Sequence, residues 1–200
     1  MADLHDVENI FEKKYRTTLK ETSKDTANNE YLCQSKEEVI NFDTYMQIKA
    51  QEDNTKIKKS FDALYFNCET SHIYCVEFKK QECEEFSNKA EKIKGKFIDG
   101  LTELKNIFES KKLEISNYNF HLFVVFKVLI EQKESMRERL VKRATKYSMN
   151  AEKGNFLTND SDFKKQIPLC QDIDKLDIRV GFIQDFMEDY KKLFNHESDC

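Results

Sequence analysis

Apolar residues at Phe86, Ala90, Ile93, Phe97, Leu101, Leu104 and Phe108 follow one another at steps of three and four, the spacing of one buried helix stripe. The pattern predicts a helix of roughly 30 residues from Lys80, about 45 Å long, which Gly95 and Gly100 are placed to bend. Near the start, Val7, Ile10, Phe11 and Tyr15 form a shorter stripe of the same period. The polar run Glu21 to Asn29 then interrupts the apolar spacing. Ser35 with Glu38 three positions on reads as a capping box, opening a helix to about Gln51 whose buried side is Val39, Phe42 and Met46.

From Phe61 the texture changes. Phe61 to Phe66 and Ile73 to Phe78 are rich in aromatic residues and flank the polar stretch Asn67 to His72, which predicts a hairpin. Asn119 to Ile130 is nearly continuously apolar, as in a strand buried on both faces. A basic helix is expected from about Glu131 to Met149 and a loop from Ala151 to Asp162. Ile178, Phe182, Phe186, Tyr190 and Phe194, at steps of four, predict a final amphipathic helix. Together these elements predict a single α+β domain over residues 1–200, with a small mixed sheet containing a hairpin and several flanking helices, one of them long. An N-terminal helical segment would cover 1–34, the core 35–130 and a C-terminal helical part 131–200.

Composition narrows the functional classes. One Pro and four Gly among 200 residues exclude collagen-like, linker-rich and turn-dense all-β designs. Sixteen Phe and eight Tyr provide ample core material, despite 35% charged residues. The six cysteines are too few and too irregular for a disulfide scaffold. A net charge of −4 argues against indiscriminate coating of nucleic acid but leaves room for a local basic face. The longest apolar stretch, His121 to Ile130, is too short to span a membrane, and Met1 to Asp6 lacks a secretory pattern, so a cytoplasmic protein is expected.

The informative chemistry lies between Asp62 and Lys79. If a four-residue connection pairs Asn67 with His72, the indices of an antiparallel ladder place Asp62 opposite Glu77. Strand alternation then turns Glu77 and Lys79 to one face and Phe78 to the other. Two converging carboxylates repel each other, and a divalent cation relieves them. Their hard oxygen donors suit Mg²⁺ or Mn²⁺, and Lys79 is placed to assist an attacking water.

This arrangement resembles the PD-(D/E)XK superfamily of restriction-endonuclease-like nucleases: Asp62, a fourteen-residue gap, then Glu77-Phe78-Lys79 on a strand before a long helix. The resemblance implies an Asp and a Glu-x-Lys on adjacent strands of a mixed sheet. It implies Asp62 and Glu77 as metal ligands, Lys79 as the catalytic lysine and hydrolysis of phosphodiester bonds in DNA or RNA. It further implies an acid from a helix before the hairpin, for which Glu38 is best placed with Glu37 behind it, and a role for Gln81. Phe61 stands where the family's Pro would be, and the polar stretch Asp53 to Ser60 supplies no strand ahead of it. Acid-x-Lys occurs seven times in this chain, so only the strand setting singles out Glu77. Without catalysis, the same three residues make a cross-strand salt bridge in an interaction module.

Three further features bear on partners. Arg139, Lys142, Arg143 and Lys146 lie in the most basic stretch, suited either to phosphate contact or to a solvated helix face. Cys68, His72, Cys75 and Cys83 are a weaker zinc set, because Cys75 lies mid-strand and Cys83 beyond it. The apolar stripes near Val7 and Phe182 would suit a partner subunit in a homodimer. No glycine-rich phosphate loop and no Ser-His-Asp pattern is present.

Overall fold

The structure is a computed structural model that describes residues 3–25, 29–79, 86–126, 176–182 and 186–187. Asp3 caps helix α1 (Leu4–Glu8) by accepting the His5 and Asp6 amides, and Asp6 reciprocates to the Asp3 amide. Val7, Phe11 and Tyr15 are all buried, but not on one helix: α1 stops at Glu8, and Tyr15 ends a separate 3-10 turn, Lys13–Tyr15. The first 34 residues are not purely helical either. They include strand β1 (Arg16–Thr18), helix α2 (Leu19–Thr22) and a small two-stranded sheet of β2 (Lys24–Asp25) and β3 (Glu30–Tyr31).

The helix expected from Ser35 begins later. Ser35 Oγ accepts the Glu37 amide in a local turn, and Glu38 opens strand β4 (Glu38–Asn41). Helix α3 (Phe42–Glu52) follows, capped by Asn41, whose Oδ1 accepts the Thr44 amide at 3.0 Å. β4 is the strand missing ahead of Phe61; it precedes α3 and lies outside the polar stretch 53–60.

The hairpin is β5 (Ala63–Asn67) and β6 (His72–Lys79), with Asn67 paired to His72 and Ala63 to Val76. Helix α4 (Phe86–Ser110, 25 residues) runs through both glycines and crosses over to β7 (Asn119–Phe126), parallel to β6. Strand β8 (Leu176–Phe182) continues the parallel half. This corrects the helix expected around Ile178 and Phe182. Leu176, Ile178, Val180 and Phe182 alternate, and a four-residue step is also a multiple of the strand's period of two.

Among the described residues the main sheet has six strands in the order β1-β4-β5-β6-β7-β8, antiparallel as far as β6 and parallel beyond it. One face packs Leu64, Cys75, Leu122 and Val124 against Ile93, Phe97, Leu101, Leu104 and Phe108 of α4. The other gathers Leu19, Val39, Tyr74, Val76, Phe78, Phe123, Val125 and Phe186. β7 is therefore buried on both faces, as its apolar run requires. The protein is an α+β fold with a mixed sheet and one long helix. Val7 is fully buried in the chain's own core, so it offers no surface to a second subunit. No helix among the described residues is long and apolar enough to cross a membrane.

Candidate active site

Asp62 sits one residue before β5, and main-chain bonds hold it on both sides. Its amide donates to the Val76 carbonyl of β6 at 2.9 Å, and its carbonyl accepts the Phe42 amide, the first of α3, at 3.2 Å. Its Oδ2 accepts the Phe78 amide at 2.7 Å, so the carboxylate replaces a ladder carbonyl where the hairpin ends. Behind it, Phe61 stacks on Phe42 at 4.7 Å and 6°, and on Phe97 of α4 at 5.7 Å. Position 61 is thus filled by a core aromatic ring that anchors the neighbouring acid.

Glu77 lies on the same face of the sheet, in register with Val124 and under α4, with no solvent exposure. Lys79, two residues on, bonds Oε1 of Glu77. Lys96 reaches down from α4. Its Nζ lies 2.8 Å from Oε1 and 2.9 Å from Oε2 of Glu77, and 3.4 Å from Oδ1 of Asp62. The two acids therefore meet around one ammonium. Asp62, Lys79 and Lys96 keep 23%, 20% and 22% of their side-chain surface exposed, so the cluster opens to solvent on one side only.

The electrostatics follow from that geometry. Burial, then the charge of Glu77, pushes the Asp62 carboxyl up to about 7, against the opposing pull of Lys96, the Phe78 amide and Lys79. Burial would lower the Lys96 ammonium, but Asp62 and Glu77 outweigh it and leave its pKa raised. Asp43, at the start of α3, adds to that upward pull.

Asp62, Glu77 and Lys79 come together, and Lys96 joins them. Lys96 lies beside the Ile93–Phe97 stripe among several lysines of α4, and only the docking of the helix on the sheet singles it out. Glu38 does not reach this site. It lies on β4 instead of a helix, pairs with Arg16 at 2.9 Å and is 65% exposed. It also falls at the far end of the strand, since Asn41 is the residue paired beside Asp62, opposite Ala63. Arg139, Lys142, Arg143, Lys146 and Gln81 lie outside the described residues.

The zinc set of Cys68, His72, Cys75 and Cys83 does not assemble. Cys75 is buried on the α4 face, whereas His72 alternates to the opposite face and lies 2.9 Å from His121. Cys83 lies outside the described residues.

The oxygens of Asp62 and Glu77 converge on the ammonium of Lys96, and two carboxylates are the hard donor type that a divalent cation takes. Compared with family models, curated proteins and solved structures, the chain matches none.

Proposed function

We propose that the chain is a Mg²⁺- or Mn²⁺-dependent nuclease that hydrolyses phosphodiester bonds of DNA or RNA at Asp62, Glu77, Lys79 and Lys96. The observation that carries the reading is the single ammonium of Lys96 shared by both carboxylates. A point served by two acids from adjacent strands is where one cation gains most. What supports the PD-(D/E)XK reading is an Asp directly before β5 and a Glu-x-Lys on the neighbouring β6, with a long helix leading to a parallel strand.

Asp62 and Glu77 would hold the metal, which when bound polarises a phosphoryl oxygen and lowers the pKa of a water. Lys96 gives up its place between the acids and turns its charge toward the scissile phosphate. Lys79, anchored on Glu77, orients the attacking water and balances charge that develops on the phosphoryl oxygens. The Phe78 amide keeps Oδ2 of Asp62 fixed, so Oδ1, which faces Lys96, is the oxygen that would be offered to the metal. The basic stretch 139–146 supplies phosphate contacts along the strand.

A second reading, a non-catalytic interaction module, is favoured by one observation. Two carboxylates face two ammonium groups with Glu77 fully buried, so the acids have counter-charges without any metal.

Plasmid, single-stranded DNA and RNA incubated with the pure protein, with Mn²⁺ or with EDTA, separate the two. Metal-dependent cutting that disappears in Asp62→Ala and Lys79→Ala is expected. Intact substrates with Mn²⁺, or cutting indifferent to both substitutions, would leave the interaction module.

A further inference from the structure

At the opposite end of the hairpin, roughly 20 Å along β5 from Asp62, a different set of donors converges. His5 and Glu8 lie one turn apart on α1, with Nδ1 of His5 3.9 Å from Oε2 of Glu8. Cys68, the first residue after β5, places its Sγ 3.4 Å from the same Oε2. The three ligand atoms all lie within 4.8 Å of one another.

The surroundings fix two of the three. Asp3 caps α1 through the His5 and Asp6 amides, which sets the helical turn that carries His5 and Glu8. Arg16 holds the other oxygen of Glu8, Oε1, at 3.3 Å, leaving Oε2 turned toward the sulfur and the imidazole. His5 is 66% exposed and Glu8 26%, so an ion from solvent has an open approach.

We propose that His5, Glu8 and Cys68 form a site for a zinc-class transition-metal ion that clamps α1 to the β5–β6 hairpin. One sulfur, one imidazole nitrogen and one carboxylate oxygen are a borderline-soft set, which selects Zn²⁺ or Co²⁺ over the Mg²⁺ suited to Asp62 and Glu77. Three protein ligands leave the fourth tetrahedral position to water. The Cys68 thiol, which otherwise donates to Glu8, releases its proton to solvent as the metal–sulfur bond forms.

The test is a Co²⁺ titration of the full chain, followed by absorption. One equivalent with a near-ultraviolet thiolate-to-cobalt charge-transfer band is expected. Cys68→Ser should abolish the band, while His5→Ala and Glu8→Gln weaken Co²⁺ binding at least about tenfold. Asp62→Ala should leave the band unchanged. Zn²⁺ should raise the melting temperature of the parent protein and not that of Cys68→Ser. Exposed His5 has no role in the core, so His5→Ala folds and decides the matter even where Cys68→Ser does not. The absence of a band, a band that survives Cys68→Ser, or full affinity in His5→Ala would each overturn the site.

Discussion

Gly100 of α4 lies against the ring of Phe61: a Cβ built on Gly100 would stand 2.5 Å from Cε1 of Phe61 and 2.9 Å from Cδ1. Phe61 is fully buried between Phe42 and Phe97, so its ring has no room to retreat. Gly100→Ala is therefore expected to cost about 1–3 kcal/mol by overpacking. It should also weaken any activity that depends on Asp62, the next residue. Gly95, one and a half turns earlier, has nothing within 4 Å of its built Cβ. Gly95→Ala should stabilise by about 0.5–1 kcal/mol through helix propensity alone. Urea denaturation midpoints of the two variants should move in opposite directions.

Asp62 makes stability depend on pH. Its carboxyl titrates near 3.8 when unfolded and near 7 when folded. Between those values the folded chain holds a proton that the unfolded chain has released, so this group's contribution to stability falls as pH rises from about 4 to about 7. Asp62→Asn keeps an acceptor for the Phe78 amide and removes the titration. The stability of Asp62→Asn relative to the parent protein should rise across that window and level off above it, as read by denaturant titrations at each pH. Mn²⁺ affinity runs the other way in the parent protein, increasing with pH until Asp62 is ionised.

Lys96→Ala leaves two acids facing one lysine. A loss of about 1–3 kcal/mol is expected, less than for fully buried pairs because Lys96 keeps part of its surface in solvent. Mn²⁺ should restore this loss and bind the variant about tenfold or more tightly than the parent, since no ammonium has to be displaced. Melting curves with and without Mn²⁺ check this, and a variant that Mn²⁺ fails to rescue would favour the purely structural salt-bridge cluster.

Asn41 ends β4 and caps α3, which sends its first amide to the Asp62 carbonyl. Asn41→Ala should cost about 1 kcal/mol and loosen that connection. Amide hydrogen exchange at Phe42 and Thr44 is the direct measure.

The hairpin register was legible because Asn67 to His72 is a polar interruption between two aromatic runs, and antiparallel indices then place Asp62 against Glu77. The α4 stripe and the doubly buried β7 were legible for the same reason: each has one unbroken period. β4 was not, since four residues carry too little alternation to compete with the Ser35/Glu38 capping pattern. β8 was hidden by a spacing that fits both helix and strand. Lys96 depended on how α4 seats on the sheet, a tertiary fact that no local pattern encodes.

The double anchoring of Asp62 has a consequence for how the protein fails. An acid hung from main-chain bonds to two neighbours loses its aim when either one lets go. One of those supports is the Phe42 amide, at the point where the four-residue strand β4 passes into α3. Mild heat or low denaturant that parts this short β4–α3 junction from β5 should therefore silence the cluster while β6, β7 and β8 remain paired.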